Sequence, residues 1–227
     1  MSFALKLQAI VWKDLKCEFR TRETILSMSL LSFLVLIIFH FALGSNAVNL
    51  KNMTPGVVWI AFVFSGLIGL GRAFNLERDR GTLAGLLLCP LSPWGIYAAK
   101  TIGVFVFTTI MEVFTLLLAA VLYNLNLWHN ISSLALVIFL GTAGFSIIGT
   151  LLSAISANAK ATDILLSILV LPLSVPLMIA SVKATGLILQ GNPIQTAYSW
   201  LKLLIAFDLA FLLVSYLTFE YVLEELS

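Results

Sequence analysis

Charged side chains are scarce in this sequence: Lys, Arg, Asp and Glu make up 11% of its 227 residues, against about 25% in ordinary soluble domains. Cysteine is scarcer still, with only Cys17 and Cys89. Their spacing matches no metal pattern, and we interpret both as small packing residues rather than as part of a zinc site or a disulfide framework. Hydrophobic residues make up 60% of the chain, which lies far outside the soluble range. This composition indicates a membrane protein.

Six long apolar stretches account for most of the chain. In lipid every backbone polar group must be satisfied within its own segment, so each stretch is predicted to be a transmembrane helix. The predicted spans cover residues 25–43, 56–74, 101–123, 133–155, 164–182 and 201–222. Too little chain remains outside them for a second core. We therefore expect an all-α integral membrane protein with a single permease-like domain over residues 1–227.

The basic residues fall mainly on one side of the predicted membrane. The ten on that side are Lys6, Lys13, Lys16, Arg20, Arg22, Arg72, Arg78, Arg80, Lys100 and Lys160. The other side holds Lys51, Lys183 and Lys202. Since cytoplasmic loops carry the excess of Lys and Arg, this asymmetry predicts that both termini are cytoplasmic.

Residues 1–23 precede the first span and show the pattern of an amphipathic helix. At 100° per residue, Lys6, Lys13, Lys16 and Arg20 form a basic stripe, and Leu5, Trp12, Leu15 and Phe19 gather opposite. Such a helix is predicted to lie along the cytoplasmic leaflet. Two roles are open for it: anchoring on anionic lipid, or contact with a cytoplasmic partner.

The loop at residues 75–100, between the second and third spans, holds a second short apolar element. Leu83 to Cys89 is too short to cross a bilayer and is stopped by Pro90 and Pro93. Its leucines must be buried in lipid headgroups or in a groove on a soluble partner, unless the loop is simply a solvated elbow. The nearby Ala99-Lys100-Thr101 lacks the glycines of a phosphate-binding loop, so no nucleotide site is predicted.

Two motifs make the chain recognisable. The loop reads E-x-x-x-G-T-L-x-G-L-L-L-x-P-L from Glu77 to Leu91, with Lys100 after it, and residues 171–177 read Leu-Pro-Leu-x-x-Pro-Leu. Together they resemble the haem exporter protein B (CcmB) family, and the similarity covers nearly the whole chain. Either motif alone would indicate only an ABC-2-type permease. Ala84 departs from the family pattern, where a glutamate is expected, which puts one polar contact to a partner in doubt.

The resemblance implies a non-catalytic permease subunit of an ABC-type transporter that acts in haem handling for cytochrome c maturation. Two copies would pair, and each would seat a CcmA-like ATPase on a cytoplasmic coupling helix between spans two and three. The complex would use ATP hydrolysis to rearrange and to release a haem-loaded chaperone. The coupling residues implied are Glu77, Arg78, Asp79, Gly81, Thr82, Leu83, Leu86 and Leu87.

The resemblance also implies partners and cofactors. A CcmC-like haem-handling membrane protein and a small accessory subunit would join the complex in the bacterial inner membrane, with a CcmE-like periplasmic haem chaperone as an indirect partner. ATP and Mg²⁺ would bind the ATPase, and haem would be handled by the complex. We expect this subunit to bind no cofactor or metal and no nucleic acid.

Polar residues within the spans are the remaining candidates. Glu112 lies at the middle of span three and Asp208 in the outer half of span six, where acids normally face the bundle interior. We expect Glu112 to be protonated and hydrogen-bonded to a Ser or Thr of another span, as structural glue or with a gating role. His40 and His129, at the outer surface, are candidate haem ligands, although either suits an ordinary interfacial position.

Two other functions remain open. The same permease architecture could export a different cargo, such as a lipid, a polysaccharide or a drug. A membrane haem-binding protein that acts without ATP is a third hypothesis, but the sequence lacks paired intramembrane histidines. A membrane-embedded hydrolase has even less support, since no base and nucleophile share a plausible span.

Overall fold

The computed structural model describes residues 3–43, 47–79, 81, 91–125, 127, 130–157 and 162–226, and within these ranges the chain is helical and contains no strand. The helices in chain order are α1 Phe3–Thr21, α2 Glu23–Leu43, α3 Ala47–Asp79, α4 Pro93–Tyr123, α5 Ile131–Ser156, α6 Thr162–Leu189 and α7 Tyr198–Leu226. A short 3₁₀ helix, Ile194–Ala197, precedes α7. The predicted all-α fold class is confirmed.

Six segments of the described chain are long and apolar enough to cross a bilayer. They are Glu23–Leu43, Asn52–Phe74, Pro93–Tyr123, Ile131–Ser156, Thr162–Leu189 and Ile194–Glu224. This is the predicted number, and each overlaps a predicted span. The third starts about two turns earlier than expected and the fifth ends about two turns later, because hydropathy falls at Lys100 and Lys183 while the helical backbone continues past both.

Local signals explain several helix boundaries. Ser92 caps α4 by accepting a hydrogen bond from the Gly95 amide at 3.2 Å, and Pro93 occupies the first helical position, where its missing N–H costs nothing. Asn124 ends the same helix in the left-handed conformation, with φ 51°. α6 runs without a break through Pro172 and Pro176, as a membrane bundle allows.

The core is formed where α3, α5, α6 and α7 meet, and glycines set the distance between α3 and α5. Gly141 faces the Trp59 ring, and Gly149 faces Leu70, so neither position leaves room for a Cβ atom. The Ser153 hydroxyl donates to the Leu70 carbonyl at 2.8 Å across the same contact. Small residues therefore allow the close helix approach that membrane interiors favour.

Helix α1 lies outside this bundle and packs on the start of α4. Ile10 is buried against Ile96 and Ala99. The side of α1 turned away from the body carries exposed apolar residues, including Leu5 and Trp12, the latter 67% exposed. This arrangement leaves an apolar stripe free for the predicted lipid contact.

Candidate functional site

Four charged side chains converge where α1, α3 and α4 meet, beside residues 80–92, which we call the elbow. This charge cluster consists of Lys13 and Asp14 on α1, Glu77 in the last turn of α3, and Lys100 in the second turn of α4. The Lys100 ammonium lies 2.8 Å from Glu77 Oε1 and 3.1 Å from Asp14 Oδ2. Lys13 pairs with Glu77 and lies 3.2 Å from Asp14 Oδ1. The cluster is electrically balanced, with two positive and two negative groups.

Lys100 is the buried centre of the cluster, with a side chain only 3% exposed. Its ammonium group donates hydrogen bonds to Glu77 and to the Ala73 carbonyl, the latter at 2.9 Å, and forms an ion pair with Asp14. The Phe74 ring centroid lies 5.4 Å from the same nitrogen. Because two hydrogen bonds and two carboxylates compensate its burial, a lysine is tolerated here and holds three helices together.

The electrostatics of the cluster favour the charged forms. Burial raises the pKa of the Glu77 carboxyl, but the Lys100 charge and the hydrogen bonds from Lys100 and Lys13 outweigh burial and hold that pKa below its ordinary value. Burial lowers the pKa of Lys13, but the hydrogen bond to Glu77 and the Asp14 charge raise it above its ordinary value. Glu77 and Lys13 therefore act as ions near neutral pH.

A cavity of about 170 Å³ adjoins the charge cluster between α1, α3 and α4. Its charged lining residues are Lys13, Asp14, Glu18, Arg72, Glu77 and Lys100. Its apolar wall includes Val104 and Phe107. With equal numbers of acids and bases, the cavity shows no preference for an anion or a cation.

The predicted coupling residues divide into described and undescribed positions. Glu77 is buried and paired inside the chain. Gly81 adopts a left-handed turn with φ +65°. Arg78 and Asp79 belong to the end of α3, but their side chains lie outside the description. Thr82, Leu83, Leu86 and Leu87, and with them the predicted coupling helix, lie outside the described residues, so their role stays a prediction.

Sequence reasoning missed the charge cluster. The sequence predicts that Lys100 ends a loop, because mean hydropathy falls at a basic residue. The available signal was the run Ile96–Ala99, which is apolar and helical immediately before Lys100 and implies that the lysine needs a buried acid. The identity of that acid depends on the approach of α1 and α3, which the sequence does not reveal.

Glu112 joins α4 to α5 through a hydrogen bond with the Thr142 side chain. Glu112 is 1% exposed. This confirms the predicted hydrogen bond to a Ser or Thr of another span. The Thr142 hydroxyl carries one proton and also lies 2.8 Å from the Ile138 carbonyl, which can only accept. The Thr142 hydroxyl, which lies against both this carboxyl group and a carbonyl of its own helix, therefore ties Glu112 to α5.

Asp208 is half-buried on α7 and faces α5. Its Oδ1 atom sits against Gly144, where a Cβ would collide with it and with Leu177. Within the described part of the chain this oxygen has no hydrogen-bond partner. Asp208 and Glu112 therefore reach α5 from different helices, and no contact between them is seen.

One of the two histidine candidates, His40, lies in the described part of the chain. His40, at the end of α2, contacts aromatic rings, with centroids 5.6 Å from Tyr123 and 5.8 Å from Phe41. His129 lies outside the described residues. Among the described residues no group of three His, Cys, Asp or Glu side chains could hold a metal ion.

Comparison with known proteins places the chain in a defined group. The family model described as CcmB protein matches residues 5–224. Heme exporter protein B of Pseudomonas aeruginosa is 29% identical over 176 residues, which cover 78% of each chain. The protein of the same name from Haemophilus influenzae is 29% identical over 185 residues, covering 78% of this chain and 81% of the relative. That from Escherichia coli is 28% identical over 172 residues, covering 75% and 77%.

Proposed function

Because this chain belongs to the CcmB protein family, we propose that it is the membrane-spanning subunit of an ABC-type transporter that handles haem for cytochrome c maturation. The observation that carries the proposal is the family match across residues 5–224, in a chain with six candidate spans among its described residues. The names of its relatives supply the cargo class, haem. The subunit itself is non-catalytic.

In this proposal a separate CcmA-like ATPase binds ATP and Mg²⁺ and docks on the elbow. Two copies of this chain pair, each with one ATPase. Closure of the ATPase pair presses on the elbow and re-packs the spans toward the outer side. A CcmC-like membrane protein and a small accessory subunit complete the complex, which releases a haem-loaded CcmE-like chaperone. Buried ion pairs hold together the helix ends that flank the elbow, which supports a role of this region in coupling the ATPase to the spans.

The proposed location is the bacterial inner membrane with both termini in the cytoplasm. The ten-to-three distribution of basic residues supports this orientation. Fusions of a reporter enzyme that works only in the periplasm, placed after Leu88 and in the loop after Tyr123, test it. Activity of the second fusion alone is expected, and activity of the first would reverse the orientation and remove the proposed ATPase contact.

The functional test uses the turn at Gly81. A proline fixes φ near −65°, whereas Gly81 has φ +65°, so Gly81→Pro must deform the elbow. Asparagine tolerates the left-handed conformation, which makes Gly81→Asn the matched control. We expect Gly81→Pro to lose the co-purifying ATPase and the formation of c-type cytochromes in cells, and Gly81→Asn to keep both.

The outcomes separate the proposal from its competitors. Retention of the ATPase and its stimulation by Gly81→Pro would remove the coupling role of the elbow. Normal c-type cytochromes in a deletion strain, with altered drug sensitivity or envelope, would indicate another cargo. A haem absorption band in the purified subunit that depends on His40 or His129 would indicate a haem-binding protein that acts without ATP.

A further inference from the structure

We propose that the cavity between α1, α3 and α4 binds one molecule of phosphatidylethanolamine, a phospholipid whose head group carries a phosphate and a primary ammonium. The head group lies at the charged end of the cavity and part of an acyl chain at its apolar end. This lipid site needs neither an ATPase nor a haem cargo, so it stands apart from the proposed function. Three properties of the cavity support it: its change of polarity with depth, the charges that lie outside the charge cluster, and the glycines in its wall.

The lining of the cavity changes from charged to apolar with depth in the bilayer. Arg72 and Lys100 lie near the ends of the second and third spans, at the level where lipid head groups are expected. Phe107 follows Lys100 by seven residues, which places it about 10 Å deeper at about 1.5 Å per residue. Gly69 lies three residues before Arg72, about 5 Å deeper in the same direction. A phospholipid has the same order of a charged head and an apolar chain.

Arg72 and Glu18 are the charged lining residues outside the charge cluster, and they have opposite signs. The Arg72 guanidinium carries N–H donors in a planar fork that matches a phosphate group. Its ion pair with Glu23 of α2 is 3.1 Å long, and the Glu23 side chain is 68% exposed. Such an exposed pair contributes little stability and occupies only part of the donor fork, so Arg72 can also bind a phosphate.

The acids of the lining suit the ammonium of the head group. Glu18 lies one helical turn after Asp14 on α1, and both residues line the cavity. A carboxylate offers about four lone-pair sites, so Asp14 can accept a primary ammonium in addition to the two lysines that it contacts. The trimethylammonium group of phosphatidylcholine has no N–H donor for these acids. The head group of phosphatidylglycerol brings a negative charge without an ammonium. The lining therefore favours phosphatidylethanolamine.

Glycines keep the apolar end of the cavity open. Gly69 on α3 and Gly103 on α4 both line it. Among the described residues, a Cβ atom at Gly103 would have only atoms of Asp14 within 4 Å, the nearer at 3.9 Å. The cavity measures about 170 Å³, and an apolar cavity of roughly 150 Å³ holds a benzene molecule, so there is room for about six carbon atoms of an acyl chain. An acyl chain there also supplies dispersion contacts that an empty cavity lacks.

Native mass spectrometry of the full-length chain tests the site. The protein is released from nanodiscs that contain equal parts of phosphatidylethanolamine, phosphatidylcholine and phosphatidylglycerol. Gly103→Leu fills the apolar end, and Gly56→Leu is its control, because nothing in the described chain lies within 4 Å of a Cβ atom at Gly56. Arg72→Gln removes the phosphate contact together with the ion pair to Glu23. Glu23→Gln is the second control, because it breaks the same ion pair and keeps the guanidinium.

The parent is expected to retain one phosphatidylethanolamine molecule in preference to the other two lipids, and both control variants should keep it. Gly103→Leu should lose this lipid. Arg72→Gln should retain at least about tenfold less of it, the effect of losing a hydrogen bond between charged groups. Because Arg72 is partly exposed, Arg72→Gln is expected to fold and provides the result if Gly103→Leu does not.

Four results would overturn the lipid site. They are the absence of bound lipid from the parent, equal retention of phosphatidylcholine, a preference for phosphatidylglycerol, and equal retention by Arg72→Gln and Glu23→Gln. Equal retention of phosphatidylcholine would mean that no acid recognises the ammonium. A preference for phosphatidylglycerol would mean that the basic stripe of α1 holds the lipid at the surface. Since the assay contains neither an ATPase nor haem, none of these results bears on the proposed function.

Discussion

Replacing Lys100 by methionine tests the charge cluster most directly. Methionine has a similar length and fills the same space, so the change removes the charge, two hydrogen bonds and the ion pair with Asp14, with little change in packing. Removing one member of a buried ion pair costs about 3–5 kcal/mol in the free energy of unfolding. Lys13, half-exposed, still compensates Glu77 and Asp14 in part. We therefore expect a loss at the lower end, about 3 kcal/mol.

The double variant Lys100→Met with Glu77→Gln gives the sharper result. It leaves the Lys13–Asp14 pair and no isolated buried charge, and replacing both members of a buried pair is often close to neutral. We expect it to be more stable than Lys100→Met alone, with a coupling energy of about 2 kcal/mol. Reversible unfolding in mixed micelles of mild detergent and dodecyl sulfate, followed by circular dichroism, measures both values.

Lys202→Met is the control, because Lys202 is exposed and its change is expected to alter stability by less than about 0.5 kcal/mol. A double variant as unstable as the sum of its two single variants would refute the reasoning. So would a loss below about 1 kcal/mol for Lys100→Met, since the lysine would then be hydrated rather than held by the cluster.

The cluster also has a pH signature. The folded pKa of Glu77 lies below its ordinary value, so its contribution to stability is complete above that value, 4.5, and is lost as the pH falls through the folded pKa. The folded pKa of Lys13 is raised, so its contribution is present below its ordinary value, 10.5, and is lost as the pH rises through the folded pKa. The difference in the free energy of unfolding between the parent and Glu77→Gln should therefore be largest between pH 4.5 and pH 10.5 and should shrink in acid. A difference that stays the same in acid would contradict this pH dependence.

Two further predictions concern the membrane interior. Thr142→Val should cost about 0.5–1.5 kcal/mol in the free energy of unfolding, the range of interhelical hydrogen bonds in membranes. Glu112→Gln should be nearly neutral, because the amide oxygen of glutamine can still accept from Thr142. Unfolding in mixed micelles checks both values, and loss of transport by a fully stable Glu112→Gln would point to a gating role. Gly141→Ala should lower stability by about 1–3 kcal/mol because its Cβ meets the Trp59 ring, whereas Gly56→Ala, with nothing within 4 Å, should be tolerated; equal melting temperatures for the two variants would show that α3 and α5 are packed less closely.

Part of the site followed from patterns within single segments. Glu112 was predicted to bond to a Ser or Thr of another span, because a lone acid in an apolar helix has few other partners, and Thr142 is that partner. The sequence could not name Thr142, since Ser and Thr recur along several spans. The coupling role stays a prediction for all of the residues from Glu77 to Leu87 that were named for it, and so does the role of His40.

The sequence by itself determined the class of the protein, the number of spans and the family. These depend on hydropathy summed over about 20 residues and on two local motifs, so they do not depend on how the helices pack against each other. Tertiary structure alone decided that Lys100 is buried, that Glu77 turns inward, and that α1 packs against α3 and α4. The physical reason is distance along the chain. Asp14, Glu77 and Lys100 are far apart in sequence, and only the packing of three helices brings both acids within about 3 Å of the lysine, whose burial they compensate.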